Sequence, residues 1–378
     1  MRMLVLGAGL QGSACAYDLL QDKEVESVRL ADVHVQRLPD FLAPYSGPRL
    51  LPTSLDVRDH AAVLGAMKTC DAVMSAIPYY YNYELACLAV EAGVHFCDLG
   101  GNTEIVFKQK ELDAEAKRKD VTVVPDCGLA PGMVNILAEY GIRQLDSTDS
   151  VKIFVGGLPQ HPEPPLNYML VYSLEGALDY YTTLSWVLRN GKRTQVKALS
   201  EPEPVKFDFA NLEAFHTAGG LSTMAFRYED QIPTMEYKTL RYPGHAELMA
   251  NIRELGLLDN EPIDVKGTKV VPRDVFIAEV QPKLTKPKGH DLVALRVVVA
   301  GKKSGKPATK TFELVDRYDE KHGISAMMRT TGYSLSITGL MQARREVQPT
   351  GVHTPDECIP AEKYIAELRK RGIDIKEQ

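Results

Sequence analysis

The chain lacks any run of about 18 apolar residues, the length a bilayer-spanning helix requires, so no membrane contact is expected. It has no long basic run and a formal net charge of −6, which argues against a nucleic-acid partner, whose phosphates select a cationic face. Cysteine is scarce. Its six residues (Cys15, Cys70, Cys87, Cys97, Cys127, Cys358) form no CxxC pair, so buried reduced thiols are expected rather than a disulfide framework. The nine histidines show no HExxH or comparable ligand spacing, and no metal is expected. The opening MRMLVLGAG runs straight into a glycine turn without the small-residue cleavage site of a secretory signal, which makes a cytoplasmic protein the expectation.

What is present is a long chain of ordinary composition. Its 378 residues, 44% hydrophobic and 25% charged, exceed what one core usually serves, so two domains are expected. To about residue 125, short β-branched runs (MRMLVLG, VESVRLADV, RLLPTSLDV, DAVMSAIP, VHFCDLG, DVTVVPD) alternate with helical patterns near 11–22, 57–68, 81–92 and 103–119. This alternation predicts the doubly wound α/β (Rossmann) fold, a parallel sheet covered on both faces. From about residue 149, SVKIFVGGLP, TMEYKTLRYP, DLVALRVVVAG and KPATKTFELVD predict a largely antiparallel second domain, with GKKSG closing a hairpin. The proline-rich QHPEPPLNY (160–168) is a loop. ISAMMRTTGYSLSITGLM (324–341) and PAEKYIAELRKRGI (360–373) are helical again. The expected division is a dinucleotide-binding domain over 1–127, an inserted α+β domain over 128–323, and helices returning to the first domain over 324–378.

The sharpest motif is GAGLQG, which follows the strand LVLG and opens the helix ACAYDLLQ, the context in which GxGxxG binds a dinucleotide. Gly7 permits the tight turn, Gly9 lets backbone N–H groups approach a pyrophosphate, and Gly12 allows helix and strand to pack closely. Leu10 and Gln11 complete the cofactor-binding turn at the positive end of the helix dipole. Asp32 ends the second strand, where a carboxylate accepts from both ribose hydroxyls and repels a 2′-phosphate. NAD is therefore the expected cofactor, with Arg37 the one nearby residue that would favour NADP. Ala76, Ile77 and Pro78 end the fourth strand and DLGGN the fifth, so both loops are expected to flank the dinucleotide and its nicotinamide. Asp98 is the charged residue best placed there; capping the helix that starts near Thr103 is its other role. In CGLAPGMVNILA, Gly128 permits a tight turn and Pro131 suits the first turn of a helix, whose N-terminus beside the cofactor would suit a substrate carboxylate.

With these stretches in view, the chain resembles the saccharopine dehydrogenase (reductase) superfamily, and within it is most similar to the lysine 6-dehydrogenases. The matching segments are GAGLQG, SAIPYYYN, CGLAPGMVNILA, YSLEGALDYYTTLSWVLRNGK, FHTAGGLST, TLRYPGHAE and MMRTTGYSLSITGLM. The resemblance implies an inserted domain used for substrate binding and homodimer formation, and oxidation of an amine on an amino acid. It also implies that Pro131 and Gly132 border the substrate cleft. Saccharopine reductases of this type read GLDPG where this chain has Ala130, and PPLNYML echoes their NPLxYK segment only loosely; both departures disfavour a tricarboxylate substrate.

Hydride leaves the ε-carbon of lysine only when nitrogen has a free lone pair, yet a free ammonium has a pKa of about 10.4, so a base or a depressed amine pKa is required. The base candidates are Asp98, Glu175 and His216, with Asp126 and His245 behind them. Glu175 also fits a solvated helix face, and His216 a structural hydrogen bond. Arg241, between a strand and a proline–glycine turn, offers the fork that matches a carboxylate, with Tyr242 and His245 beside it; a surface ion pair is its other role. The expected reaction is NAD-dependent oxidative deamination of the ε-amine of L-lysine to a semialdehyde that cyclises. Saccharopine or a carboxylated polyamine is the alternative substrate, and a non-catalytic NAD-binding sensor or scaffold, for which Ala130 is the only hint, the alternative of another class.

Overall fold

The computed structural model describes residues 1–35, 37–285 and 290–378. In the N-terminal third the β-branched runs become β1 (Arg2–Leu6), β2 (Ser27–Asp32), β3 (Leu50–Ser54), β4 (Ala72–Ser75), β5 (His95–Asp98) and β6 (Thr122–Val124). Between them lie α1 (Leu10–Gln21), α2 (His60–Met67), α3 (Asn82–Ala92), α4 (Thr103–Lys110) and α5 (Asp113–Arg118). All the strands run parallel, in the order β3-β2-β1-β4-β5-β6. β4, β5 and β6 are buried along their whole length, as strands covered by helices on both faces must be. The strand order reverses between β1 and β4, which opens a crevice at the carboxyl ends of the sheet. Asn102, not Asp98, caps α4, its side chain accepting from the N–H groups of Glu104 and Ile105.

The second region begins with α6 (Met133–Arg143) and β7 (Ser147–Pro159), then α7 (Leu174–Thr182), β8 (Ser185–Arg189), β9 (Lys192–Val196), β10 (Glu203–Phe207), β11 (Ala210–His216) and α8 (Met224–Arg227). It continues through β12 (Thr234–Arg241), α9 (His245–Glu254), the small hairpin β13 (Ile263–Val265) and β14 (Thr268–Val270), α10 (Pro272–Leu284), β15 (Asp291–Lys303) and β16 (Lys306–Arg317). The main sheet is ordered β10-β11-β12-β7-β15-β16, with β8 on β12 and β9 on β8. It is mixed rather than wholly antiparallel, because β7 and β12 run parallel; the long connection between them supplies the crossover such a pair requires. β15 and β16 form the hairpin read from GKKSG, turning at Ser304 and Gly305, both at positive φ.

The chain then returns to the first sheet. In α11 (Ala326–Ala343) two glycines seven residues apart allow close approach: a Cβ at Gly332 would stand 2.7 Å from the Gln11 carbonyl oxygen, and one at Gly339 would strike Met74. The helix is buried along most of its length, and its polar side chains satisfy backbone groups of its neighbours. Gln342 donates to the carbonyls of Phe96 (2.9 Å) and Thr122 (3.0 Å), and Ser334 to Gly128 (3.0 Å). β17 (Gly351–Val352) adds to β6 in parallel, followed by α12 (Pro355–Cys358) and α13 (Ala361–Lys370). The last strand, β18 (Lys376–Glu377), pairs with β16, so the returning segment ends on the second sheet. All six cysteines are free, and among the described residues no helix is long and apolar enough to cross a membrane.

Candidate active site

A cleft of about 530 Å³ lies where the crevice of the first sheet meets the second. Gly9 to Gln11, Ala76 to Tyr80, Leu99, Gly100 and Gly128 to Pro131 form one wall. Gly156, Gly157, Glu175, Asp179, Tyr180, Thr217, Tyr237, Thr239 and Arg241 form the other, with Met327 and Thr331 of α11 at the junction.

The glycine turn has the geometry its sequence implies. Gly7 sits at φ 98°, and a Cβ at Gly12 would strike the Gly7 carbonyl oxygen, whereas one at Gly9 would meet nothing within 4 Å. The open side of Gly9 is where a pyrophosphate fits. Asp32 accepts from the Ala8 N–H (2.8 Å) and the His34 N–H (2.9 Å), tying the end of β2 to the turn, and each oxygen keeps a lone pair for a ribose hydroxyl. Both polar atoms of the Gln11 amide are out of solvent without a partner among the described residues. A buried donor and acceptor left unmatched on the cleft wall fit a bound dinucleotide, so the residues expected to hold one are suited to it.

The three base candidates are not brought together. Glu175 lines the cleft, exposed at its mouth. Asp98 is buried behind the wall: it accepts from Gly100 N–H (2.7 Å) and Gln109 (2.7 Å), and burial pushes its carboxyl up to about 6. Asp126 lies beside it in a left-handed conformation (φ 62°), accepting from the Ser222 hydroxyl and the Gly101 N–H. Burial, with the Asp98 charge adding to it, pushes Asp126 up to about 7. The pair holds the Gly100–Gly101 bend in place from behind, and neither side chain lines the cleft.

His216 points away from the cleft, because successive residues of an extended chain face opposite sides and it is Thr217 that faces inward. Its ring is buried, 3.2 Å from both Arg189 Nη2 and Glu201, with Nδ1 against the Tyr237 carbonyl. Burial, then the Lys238 charge, holds its pKa below the usual histidine value. His216, Glu201 and Glu236 place ligand-type atoms within 4.8 Å of one another, but Arg189 already occupies the centre, donating to Glu236 (2.6 Å) and Glu201 (2.9 Å).

Arg241 faces the cleft and is 3% exposed. Its Nη1 donates to the Leu240 carbonyl (2.9 Å) and its Nε to the Tyr181 hydroxyl (3.3 Å), while the guanidinium lies over the Tyr168 ring at 4.7 Å. Among the described residues no carboxylate pairs with it, so the surface ion pair is excluded in favour of a buried cation facing open space. Tyr242, one residue on, points to the opposite face and donates to the Pro159 carbonyl (2.9 Å). His245 lies behind Arg241 rather than in the cleft, between the Tyr181 hydroxyl (3.0 Å) and the Leu166 carbonyl (2.9 Å).

Pro131 lines the cleft from the turn before α6, outside the helix; Gly132 does not line it. Gly132 is the N-cap at φ 128°, packed so tightly against Gly128 that no side chain fits. The α6 N-terminus is no anion site. Its first N–H groups go to the Gly128 (2.9 Å) and Leu129 (3.2 Å) carbonyls, and the Gly132 N–H to the Asn135 side chain (2.7 Å). Sequence reasoning also passed over Tyr79, Tyr172, Tyr180 and Tyr237, which give the cleft its aromatic lining. The tyrosine clusters in SAIPYYYN and ALDYY, in a chain only 7% aromatic, were the available signal.

Comparison with known proteins agrees with this architecture. Residues 3–124 match the saccharopine dehydrogenase NADP binding domain, and residues 128–373 the saccharopine dehydrogenase C-terminal domain. The mouse mitochondrial alpha-aminoadipic semialdehyde synthase is 26% identical over 69% of this chain, which spans only 29% of that protein. The saccharopine dehydrogenase [NADP(+), L-glutamate-forming] of Saccharomyces cerevisiae is 23% identical over 89% of this chain and 90% of its own length. The carboxynorspermidine synthase of Vibrio cholerae is 22% identical over 95% and 93%. The solved apo saccharopine dehydrogenase (L-Glu forming) from S. cerevisiae superposes with a TM-score of 0.81 at 20% identity, covering 100% of this chain and 99% of that one, a likeness of fold.

Proposed function

The chain belongs to the saccharopine dehydrogenase family, and we propose that this member oxidises the ε-amine of L-lysine with NAD to an imine, which water hydrolyses to ammonia and a semialdehyde that cyclises. The observation that carries the reading is Arg241, a buried guanidinium on the cleft wall with no carboxylate partner among the described residues. A lone cation matches one substrate carboxylate. The other charged side chains lining the cleft, Glu175 and Asp179, are acidic and suit a cationic amine.

A nicotinamide dinucleotide, its pyrophosphate held by Gly9–Gln11 and its ring flanked by Ala76–Pro78, would supply the hydride acceptor. The protein's own residues do the rest. Leu10, Ile77, Pro78, Leu99 and Met327 make the cleft apolar, which depresses the pKa of an ammonium placed there. Glu175 at the mouth takes the proton and passes it to solvent; Asp179 is held by Arg273 at 2.6 Å. Asp32 favours NAD, because a 2′-phosphate at the end of β2 would meet its negative charge.

The second reading, saccharopine as substrate, is favoured by the names of several relatives, but a tricarboxylate would leave two carboxylates without a cation on the cleft lining. Following NADH and NADPH absorbance with lysine, saccharopine and a carboxylated polyamine tests both. Turnover with lysine and NAD is expected, turnover with saccharopine alone refutes the lysine reading, and cofactor binding without turnover favours a sensor or scaffold. We assign homodimer contacts to the exposed apolar side chains Leu255, Ile263, Val265 and Val275, and expect a dimer by light scattering; a monomer mass at micromolar concentration refutes this.

A further inference from the structure

We propose that Tyr181 and His245 are positioning residues of the carboxylate subsite, aiming the Arg241 guanidinium through a hydrogen-bond chain of fixed direction while leaving its charge unneutralised. This role rests on Arg241 being the carboxylate anchor.

The direction of the chain follows from its far end. The Leu166 carbonyl can only accept, so the His245 nitrogen 2.9 Å from it, Nδ1, carries the proton. Burial, then the neighbouring Arg241 charge, holds the His245 pKa down to about 3, so the ring is neutral and Nε2 is bare. Nε2 therefore accepts from the Tyr181 hydroxyl at 3.0 Å. That turns the lone pairs of the Tyr181 oxygen to Arg241, whose Nε donates to it at 3.3 Å. A hydroxyl that donates onward is a stronger acceptor, so the link to Arg241 gains from the histidine behind it.

The choice of partners matters as much as the geometry. An aspartate or glutamate against Nε would hold the guanidinium equally well and cancel the charge a substrate must find. Here, among the described residues, every group bonded to Arg241 is neutral: Tyr181, and the Leu240 (2.9 Å) and Gly157 (3.4 Å) carbonyls on Nη1. Nη2 has no acceptor among the described residues. The Tyr168 ring lies under the guanidinium, and its buried hydroxyl is likewise unpartnered among them. His245 is itself fixed by stacking on Phe215 (ring centroids 6.2 Å apart, planes at 13°). The arrangement is a cation clamped from behind, with its outer donors left over.

The test compares lysine with cadaverine, the same chain without the carboxylate, in calorimetric binding to the NADH-loaded protein. Tyr181→Phe keeps the ring and removes both bonds; it should weaken lysine binding roughly three- to tenfold and leave cadaverine unchanged. In turnover the loss should fall on KM, with kcat little altered. His245→Phe should act in the same direction, and His245→Gln, whose amide oxygen can accept from Tyr181, should recover most of it. Equal losses for lysine and cadaverine, or an unchanged preference in Tyr181→Phe, would overturn the positioning role. An unchanged preference in Arg241→Met, or no preference for lysine in the wild type, would instead overturn the anchor on which it rests.

Discussion

Arg241→Met separates recognition from stability. The arginine is buried, yet no ion pair is lost with it, so two opposing terms decide stability. Three hydrogen bonds from a charged donor disappear, each worth about 1.5–3 kcal/mol, and the cost of holding a lone cation out of water, several kcal/mol, is relieved. Methionine has the length to keep the contact with the Tyr168 ring. The terms offset to within a few kcal/mol, and for a chain of this size Tm should move by no more than about 5 °C. Substrate recognition has no such offset. Losing a charge-assisted contact of about 1.5–3 kcal/mol lowers kcat/KM for lysine roughly tenfold to 150-fold, with NAD affinity unchanged. Scanning calorimetry and steady-state kinetics on the same preparation measure both. Wild-type kcat/KM in a normally folded variant would show that Arg241 anchors nothing, and a Tm loss well beyond this range would make it a structural residue.

Asp32→Ser should narrow the preference for NAD over NADP, read by titrating each cofactor; tighter NADP binding by the unmodified protein would refute the charge argument. Glu175→Gln should lower turnover near neutral pH and make activity climb more steeply towards alkaline pH, where the substrate amine is already free, whereas His216→Gln, whose ring faces away from the cleft, should leave kcat/KM near wild type. A collapse of turnover in a stable His216 variant would contradict its placement. Asp126 ionises in the unfolded chain near 3.8 but in the folded one only near 7. Between those values the folded state binds the extra proton, so ionising this group costs stability as pH rises from about 4 to about 7. Asp126→Asn, tolerated at positive φ, should flatten that part of the stability–pH curve measured by denaturant titration, and an unaltered curve would refute the shift.

Much of the first region was legible because its rules are local. The β1–turn–α1 unit needs glycine at positions 7 and 12 for reasons set by residues close by in the chain, and the doubly wound sheet follows from strand and helix runs of fixed period. The GKKSG hairpin was readable for the same reason; the thiols are free as expected, but Cys70 and Cys87 are only half-buried. Nothing local revealed which side of the second sheet would face the cofactor, and that choice sorted the site residues. On neighbouring positions of one chain Arg241 faces the cleft and Tyr242 does not, and Thr217 does where His216 does not; a one-residue change of register would exchange them. That register comes from pairing β12 with β7 in parallel and β11 with β12 antiparallel, contacts between segments far apart in sequence. The same holds for the α6 N-terminus, which the sequence offers as an anion site and the folded turn closes with its own carbonyls. Sequence determined which chemical groups this protein has and the local shape of its dinucleotide turn. Only tertiary structure decided which of those groups meet, because a side chain's direction depends on which face its strand buries, and that is fixed by the partners it finds.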